Sequence, residues 1–398
     1  MRLHMHLPLI IMKGLSEMRI KDLRVHVISA PLDDAFQFSQ GWVYKRDSVI
    51  VEIETADGIC GFGECLCHGR QEPFMAAAFI ENCYKSLVVG QSIYDVEVIW
   101  ERLYNHVRPI GQQGLAINAQ SGIDIAIWDA LGKSLGQPVY NLLGGRYRDK
   151  VLAYATGFYR KKGKEYPQAA VEEALGYVEN GFKAMKLKVG FGVEEDIHYI
   201  RSVRKAVGFD IKLMADANCA YNQAVARRLL YELEDQKLEF FEELLPPEDL
   251  EGYVALRNLT STYIAAGENL FGKQNFKHWL ERRALDIYQP DLCSSGGFTE
   301  CKKIAVLTQT YNTALVPHVW GSGIGLAASL NFIATLVPTP LSYNPIEPMV
   351  EFDQSSHPFR LDLIGEDSIV FENGYVKVPD KPGIGVSVNR KVLEKYRI

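Results

Sequence analysis

Three carboxylates recur at equal intervals along the middle of the chain, and each closes a short apolar run. Asp216 closes IKLMAD, Glu242 follows LEFF and Glu268 closes YIAAGE, so successive acids lie 26 residues apart. One strand, one helix and two short loops of an α/β fold occupy about 25–30 residues. We therefore predict that these acids stand at the carboxyl ends of three successive parallel strands.

Strand and helix patterns alternate regularly through residues 151–347 and predict an α/β fold built on a (β/α)7–8 barrel of the TIM type. The strand candidates are VLAYAT, KAMKLKV, IKLMAD, LEFFEE, YIAAGE, LDIYQPD, TALVPH and LSYNPIE. In such a barrel the strand ends surround one mouth, where the catalytic groups lie. A doubly wound open sheet is the alternative, but ATGFYRKKGK after the first strand lacks its glycine-rich nucleotide loop.

The flanking segments predict an α+β capping domain. Residues 19–145 open with the strand-like runs RIKDLRVHVISA, SVIVEIETADG and ICGFGEC and continue with helical periodicity. We place the barrel at 146–350 and expect 351–398, with short strands and turns, to return to the cap. Residues 1–18 lack the features of a signal peptide. We interpret them as a disordered extension or the product of an upstream start, with Met18 as the alternative start.

Further ionisable side chains fall at strand ends in the same register. Lys186 and Lys188 end the second strand, and their i, i+2 spacing points both into the barrel. Asp291, His318 and Glu347 close the sixth, seventh and eighth strands. A surface lysine pair, a structural histidine or a helix cap would explain each residue alone. These explanations would have to hold separately on each strand, and they do not account for the one register that the strands share. In addition, apolar strands bury many charges only beside a metal or counter-charges.

The carboxylates predict metal-assisted chemistry at the barrel mouth. Asp216, Glu242 and Glu268 offer the hard oxygen ligands that Mg²⁺ prefers. A substrate carboxylate held there has an acidic α-carbon, and loss of that proton gives an enediolate that Lys186 can stabilise. Lys188 is the predicted acid/base on one face, with its pKa lowered by its lysine neighbour and by burial.

A second acid/base group is predicted on the opposite face of the substrate. His318 occupies that position, and Asp291 from the preceding strand would hold its second ring nitrogen. Two such groups permit proton abstraction from either configuration. Racemisation, epimerisation and β-elimination are all open to this arrangement.

At these residues the chain resembles the enolase superfamily, specifically its mandelate racemase-like group. The matching motifs are KLK at 186–188, DAN at 216–218, FEE at 241–243, GEN at 267–269, the Asp291–His318 pair, Glu347, and the stretch GIDIAIWDALGKSLGQPVYNLLGG at 122–145. The resemblance extends from Arg19 to the C-terminus. It implies an Mg²⁺-dependent enzyme that abstracts the proton α to a carboxylate, and a homo-oligomer, since the family commonly forms symmetric assemblies.

The resemblance also implies a substrate class. AYATGFY, KVGFGVEED, QPDLCSSGGF, PHVWGSG and NPIEPMVEFD are similar to members of the group that open a sugar-diacid lactone by β-elimination to a 3-deoxy-2-keto diacid. Dehydration or epimerisation of an open acid sugar on the same scaffold is the alternative. A non-catalytic sugar-acid-binding relative is a third, against which the intact metal ligands and both acid/base groups argue.

In this family substrate choice lies with the loops of the cap, here residues 33–46 and 66–72. Side chains there that offer contacts to a second carboxylate or to hydroxyls are Gln37, Trp42, Tyr44, Lys45, Arg46, His68 and Arg70. Tyr154, Asn218 and Trp320 are expected to line the cavity.

Charge and cysteine usage narrow the remaining classes. A net charge of −6, with no dense basic cluster, argues against nucleic acid. No apolar stretch approaches the ~20 residues that span a bilayer, so we expect no membrane partner. Seven cysteines, an odd number, favour the reduced thiols of a cytoplasmic protein. Cys65, Cys67 and His68 suggest a soft-metal site, but no second Cys/His pair has zinc-like spacing.

Overall fold

A computed structural model of the chain describes residues 18–69, 72–340, 342, 347–365 and 368–398. The predicted extension at 1–17 lies outside them. The N-terminal part opens with a long antiparallel hairpin, and its sheet has the strand order β3-β2-β1-β5. Its strands are β1 (Ile20–Phe38), β2 (Gly41–Thr55), β3 (Cys60–Cys65) and, from later in the chain, β5 (Arg160–Lys161).

Helices cover one face of this sheet and form the cap core with it. They are α1 (Phe74–Phe79), a π-helical turn (Ile80–Tyr84), α2 (Lys85–Val88), α3 (Val96–His106), α4 (Leu115–Leu135) and α5 (Val139–Leu142). The predicted periodicity of α4 is confirmed, since Ala119, Ile123, Ile127 and Leu131 are all buried in this core. The helix lies directly on β3, because a Cβ at Gly63 would stand 2.1 Å from the carbonyl oxygen of Gly122.

The second part alternates strands and helices, and the neighbouring strands in its main path are parallel. The strands are β4 (Lys150–Thr156), β6 (Ala184–Lys188), β7 (Lys212–Asp216), β8 (Phe240–Glu242), β9 (Tyr263–Ala266), β10 (Ile287–Tyr288), β11 (Ala314–Leu315) and β12 (Met349–Asp353). The helices between them are α6 (Gln168–Glu179), α7 (Val193–Val207), α8 (Gln223–Leu233), α9 (Leu250–Arg257), α10 (Gly272–Glu281), α11 (Gly297–Thr310) and α12 (Gly323–Ala334). The strand order is β12-β4-β6-β7-β8-β9-β10-β11.

All eight strands contribute to one apolar cluster. One cluster takes one residue from each strand or its end: Tyr154, Ala184, Met214, Phe240, Ala265, Ile287, Val316 and Met349. Because side chains alternate along a strand, the residues two positions further on also face inward. Those positions hold Thr156, Lys186, Asp216, Glu242, Gly267, Gln289, His318 and Glu351. Polar and ionisable side chains therefore lie directly above this cluster, the apolar plug, at the carboxyl ends of the strands.

The eighth strand lies later in the chain than predicted. It is β12, Met349–Asp353, whereas the sequence favoured LSYNPIE at 341–347, of which only 342 and 347 are among the described residues. Pro348 has no N–H to give to a strand ladder, so regular pairing begins after it. The shift moves the strand-end acid from Glu347 to Glu351.

The C-terminal segment joins both parts of the molecule, which corrects its assignment to the cap alone. β12 and the hairpin β13 (Phe371–Glu372) and β14 (Tyr375–Lys377) belong to the main sheet, where β14 pairs antiparallel with β4. The segment also contacts the cap, through the Ile384 N–H, which donates to Asp129 Oδ1 at 2.9 Å, and through the Arg46–Asp353 pair. The end of the chain contacts the first strand of the cap. There α13 (Arg390–Tyr396) packs against β1, and the Ile398 N–H donates to the Val27 carbonyl at 3.1 Å.

Two further sequence predictions concern the cysteines and the membrane. All seven cysteines are free, in keeping with the odd count. In the described part of the chain no helix is both long and apolar enough to cross a bilayer.

Candidate active site

A buried lysine joins three of the strand-end acids. Lys186 Nζ lies 2.8 Å from Glu242 Oε2, 2.8 Å from Glu351 Oε1 and 3.6 Å from Asp216 Oδ2. Each of these side chains is at most 1% exposed. Burial disfavours the ammonium, but Glu242 and Glu351 outweigh it and raise the pKa of Lys186. The lysine is therefore a fixed positive charge at the base of the site.

Lys188 lies two residues further along β6, on the same face of the strand, and lines the pocket. Its Nζ is 2.6 Å from Asp216 Oδ2 and donates to Asn218 Oδ1 at 3.1 Å. The lowered pKa predicted from sequence is not found. Burial acts in that direction, but Asp216, Tyr159 and Glu268 together outweigh it and raise the pKa of Lys188. The neighbouring Lys186, invoked for the lowering, makes a smaller contribution than Asp216 does.

His318, the predicted second acid/base group, lies against Asp291, as the sequence predicts. Its Nδ1 lies 2.7 Å from Asp291 Oδ2, and its Nε2 lies 3.3 Å from Glu268 Oε2 and 3.8 Å from Glu351 Oε2. Burial disfavours the imidazolium. The surrounding carboxylates, led by Glu268 and Glu351, outweigh it and raise the pKa of His318 to about 10.

The eighth-strand acid of the site is Glu351, and the prediction of Glu347 is wrong. Glu347 has an exposed side chain, and its Oε2 lies 3.2 Å from Arg148 Nε. Arg148 stands just before β4 begins, so this pair lies at the opposite end of the strands from Glu351. Glu351 instead accepts from Thr156 Oγ1 at 2.7 Å and from the Val319 N–H at 3.1 Å, besides contacting Lys186. Burial opposes its ionisation, but Lys186, His318 and Lys188 together outweigh it and lower the pKa of Glu351 to about 2.

Asp216, Glu242 and Glu268 follow three adjacent strands, and their donor set fits a hard divalent cation. Glu242 Oε1 and Glu268 Oε2 are buried and accept no hydrogen bond within the described residues. Burying an oxygen without a hydrogen bond costs free energy, and a bound cation would offset that cost. Burial raises the pKa of Glu242 to about 8, against the effect of Lys186. Among described residues no three His, Cys, Asp or Glu side chains already stand at metal-ligand spacing. Asp216 and Glu242 instead accept hydrogen bonds from Lys188 and Lys186.

One pocket is lined by both predicted acid/base residues, Lys188 and His318. It is lined by Phe38, His68, Tyr159, Lys188, Asn218, Glu268, His318 and Trp320. His68 reaches it from the cap, and its ring lies 6.2 Å from those of His318 and Trp320. Burial lowers the pKa of His68 to about 4, with a smaller contribution from His318. Of the predicted lining residues, Asn218, Trp320 and His68 are in the pocket.

Tyr154 does not line the pocket. Its side chain is fully buried in the apolar plug, and its ring lies 5.5 Å beneath Lys186 Nζ. Strand alternation explains the error, because Tyr154 stands at the level of Met214 and Phe240, one layer below the charged residues. The aromatic residue that reaches the pocket is Tyr159, in the loop that follows β4.

Arg46 has a structural position rather than the predicted substrate contact. It is 1% exposed, pairs with Asp353 at 2.9 Å and lies 3.9 Å from the centre of the Trp320 ring. The Lys45 ammonium pairs with Asp47 at 3.1 Å, and Tyr44 is 57% exposed. Neither lines the pocket.

The remaining predicted cap-loop residues have no described contact with the acid/base arms. The Trp42 ring stacks on that of Tyr44 at 6.2 Å. Gln37 pairs through its backbone with Trp42 and Arg160. Arg70 lies outside the described residues. Any substrate contact of these side chains stays a prediction.

A buried carboxylate of the cap holds the loop that follows His318. Glu64, on β3, accepts from the N–H groups of Ser322 and Gly325, each at 2.9 Å, and from the Ser48 and Ser322 hydroxyls. It thereby caps the N-terminus of α12 from another domain. No local sequence signal pointed to it, because its partners lie 258 and 261 residues away.

With this geometry described, the relatives of the chain can be compared with it. Residues 169–392 match the family described as Enolase C-terminal domain-like, and residues 22–144 match the Mandelate racemase / muconate lactonizing enzyme N-terminal domain. The D-galactarolactone cycloisomerase of Agrobacterium fabrum is 40% identical over 381 residues, which cover 96% of this chain and 99% of the relative. The arabinonate dehydratase of Saccharolobus solfataricus is 35% identical over 355 residues, covering 89% and 91%.

A solved structure extends the likeness to three dimensions. The crystal structure of the 3,6-anhydro-D-galactonate cycloisomerase from Zobellia galactanivorans matches with a TM-score of 0.85 and 37% identity, covering 96% of this chain and 99% of the other. The family match and these identities over nearly the whole length confirm the resemblance inferred from the strand-end motifs. The chain is therefore an enzyme of the enolase superfamily and belongs to its mandelate racemase/muconate lactonizing enzyme family.

Proposed function

We propose that this enzyme uses Mg²⁺ to remove the proton α to a substrate carboxylate and then opens a sugar-diacid lactone by β-elimination. The observation that carries the proposal is the arrangement of two acid/base arms around one pocket. Lys188, on β6, and His318, after β11, both line it, and Asp291 holds His318 from the end of β10. Three carboxylates end the strands between β6 and β10.

The proposed architecture is a closed TIM-type barrel under an N-terminal cap. One interior cluster drawn from all eight strands supports closure. So does the bond from the Val319 N–H, after β11, to Glu351 on β12, since these strands stand at opposite ends of the hydrogen-bonded path. We retain 19–145 as the cap and 146–350 as the barrel, extended by β12 and the β13–β14 hairpin.

Asp216, Glu242 and Glu268 are the proposed ligands of the cation. The free oxygens of Glu242 and Glu268 and the hard donor set support this role. Members of the enolase superfamily bind Mg²⁺. Bound there, the cation would hold a substrate carboxylate and share the negative charge that appears when the α-proton leaves.

The chain's own residues supply the remaining chemistry. Lys186, held by Glu242 and Glu351, places a fixed ammonium beside the developing enediolate. Lys188 Nζ and His318 Nε2 are the two proton carriers. Asp291 orients His318 by accepting from its Nδ1–H, so that Nε2 faces the pocket. Removal of the α-proton and departure of the β-oxygen with its bonding electrons leave an enol, which tautomerises to the 2-keto product.

The lactone is favoured as substrate because its ring carboxylate leaves as a weak base and needs little protonation. A cycloisomerase acting on a lactone of this class is 40% identical over nearly the full length. Dehydration of an open acid sugar is the second candidate. It is supported by the acid-sugar dehydratase relative and by the raised pKa of His318, about 10, which supplies an acid for a hydroxide leaving group.

The two candidates differ in the substrate that is turned over. Purified enzyme with Mg²⁺ is given D-galactarolactone, 3,6-anhydro-D-galactonate, aldarates and aldonates one at a time, and products are identified by ¹H NMR. The proposal expects the highest kcat/KM with galactarolactone and a 3-deoxy-2-keto diacid as product. Turnover of open acid sugars alone would make the enzyme a dehydratase.

A further inference from the structure

We propose that the Tyr159 hydroxyl donates a hydrogen bond to the substrate oxygen that leaves from the β-carbon. This inference rests on the proposed function, since it names a residue that assists the same elimination. Tyr159 lines the pocket with both acid/base arms and is 4% exposed. Its ring lies 5.6 Å from Lys188 Nζ.

The hydrogen bond that Tyr159 receives leaves its own proton available. Trp320 Nε1 lies 2.8 Å from the Tyr159 hydroxyl oxygen, and an indole N–H can only donate. The hydroxyl is therefore the acceptor of that bond, and its O–H is directed elsewhere. Within the described part of the chain no hydrogen bond from this O–H to protein is found. A substrate oxygen in the pocket is the acceptor that the arrangement lacks.

The backbone that presents Tyr159 is held in an uncommon conformation. Phe158 has a φ of +61°, which a non-glycine residue adopts only when its surroundings require it. The Phe158 N–H donates to Glu173 Oε1 at 2.7 Å, and the Tyr177 hydroxyl donates to the same oxygen at 2.6 Å. The Tyr166 hydroxyl donates to the Tyr159 carbonyl at 2.9 Å. These bonds turn the chain so that Tyr159 points back into the pocket.

Both aromatic rings of the pair are fixed from behind by the cap. The Phe36 ring lies 4.4 Å from that of Tyr159, and the Arg46 guanidinium lies 3.9 Å from the centre of the Trp320 ring. Arg46 is itself anchored by Asp353. A donor held in this way loses little side-chain entropy when a ligand arrives. Arg46 was predicted to contact the substrate. In the structure it supports the ring of Trp320, which in turn donates to Tyr159.

The position of Tyr159 selects one part of the substrate. The proposed metal ligands follow β7, β8 and β9, whereas Tyr159 follows β4 and Trp320 follows β11. In the strand order, β4 and β11 flank β12, which stands four places from β8 around the eight-stranded ring. Tyr159 and Trp320 thus face the ligands across the interior. A substrate whose α-carboxylate meets the ligands extends its β-carbon and leaving oxygen towards Tyr159.

The chemistry suits a neutral donor. Burial raises the pKa of Tyr159, so the phenol keeps its proton throughout the reaction. The α-proton passes to one of the acid/base arms, the C–O bond breaks, and its electron pair goes to the departing oxygen. The Tyr159 O–H stabilises the charge that grows on that oxygen and transfers nothing.

The test separates elimination from proton abstraction. Tyr159→Phe is compared with wild type in D₂O with Mg²⁺ and D-galactarolactone, and both product formation and deuterium exchange at the α-carbon of unreacted substrate are followed by ¹H NMR. We expect product formation to fall about 10- to 100-fold, the range for one hydrogen bond to a charged group, with the α-proton exchange rate preserved. The exchange-to-elimination ratio therefore rises. Equal loss of both rates, or loss of neither, overturns the proposal.

Two further variants guard against indirect effects. Trp320→Phe keeps the Tyr159 hydroxyl but removes its donor, and it should raise the same ratio by less than Tyr159→Phe does. Tyr231→Phe, on the outer surface where Tyr231 is 83% exposed, should leave both rates unchanged. If wild type eliminates only from an open acid sugar, the lactone proposal fails and the ratio is measured on that acid sugar, which still decides the role of Tyr159. A wild type that neither exchanges nor eliminates overturns both proposals.

Discussion

Asp291 Oδ2 lies 2.7 Å from His318 Nδ1, and both side chains are buried at the ends of neighbouring strands. The carboxylate fixes the ring so that Nε2 faces the pocket. If it acts through the histidine, its removal should matter only while the histidine is present. The pair can therefore be tested by a double-mutant cycle.

We expect Asp291→Asn to lower kcat by about 10- to 100-fold and His318→Asn to lower it by about 10²- to 10⁴-fold. The double variant should be no slower than His318→Asn, because the positioning residue then has nothing to position. Steady-state kinetics with the best substrate measures this. Losses that multiply would show that Asp291 acts independently of His318.

Glu351 and Glu347 offer a matched pair four residues apart. Glu351→Gln removes a counter-charge of the buried Lys186, 2.8 Å away, and should lower kcat by at least about 100-fold. Glu347→Gln changes an exposed surface pair with Arg148 and should keep kcat within about twofold. Circular dichroism confirms that each variant is folded. Comparable losses in the two variants would contradict the assignment of the eighth-strand acid.

Glu242 is the proposed metal ligand whose free oxygen is most buried, since its side chain is 1% exposed. Glu242→Gln should weaken Mg²⁺ binding in calorimetric titration and abolish turnover, while the protein stays folded. Glu239→Gln, three residues earlier in a surface pair with Lys212 at 2.6 Å, is the control and should bind Mg²⁺ normally. Full activity of Glu242→Gln with metal bound would make the ligand assignment wrong.

Glu52 should make the stability of the cap depend on acid pH. It is 1% exposed, accepts from Arg390 at 2.6 Å and lies 2.8 Å from His26 Nε2. Burial opposes ionisation, but His26 and Arg390 outweigh it and lower the pKa of Glu52 to about 2 from 4.5. A depressed pKa stabilises the fold above the unfolded value of 4.5, and this contribution is lost as the pH falls from about 4.5 to about 2.

Glu52→Gln should therefore lower the free energy of unfolding at pH 7 by about 3 kcal/mol and flatten its decline between about pH 5 and pH 2. Urea titrations across this range measure both effects. Glu97→Gln, in a surface pair with Lys303 whose glutamate is 63% exposed, should change the free energy by less than about 1 kcal/mol. An unchanged pH profile in Glu52→Gln would refute the prediction.

How far the sequence predicts this site depends on the distance between partners. Asp216 and Glu242 were found because a repeated α/β unit puts equivalent residues at equal spacing. Glu351 was missed because the apolar stretch before Glu347 looked like the strand, although Pro348 delays it. A strand-end rule applied to MVEFD would have selected Asp353, which pairs with Arg46, because Glu351 is the middle residue of that strand.

Tyr159 and Arg46 could not be placed by such a rule. Tyr159 enters the pocket through a left-handed residue, Phe158, which a carboxylate 15 residues later holds in place. Arg46 is buried by Asp353, 307 residues further along the chain. Contacts of this kind depend on how the cap and the barrel pack together, and no local pattern encodes them.

The central claim is that the reaction begins with removal of the α-proton. It is tested most directly by running the reaction with D-galactarolactone in D₂O, with and without Mg²⁺, and locating deuterium in the product by NMR and mass spectrometry. We predict a 3-deoxy-2-keto diacid that carries one solvent deuterium at C3 and no longer carries the α-proton, formed only with Mg²⁺. A product that retains the α-hydrogen, or one formed equally well without Mg²⁺, would contradict the account.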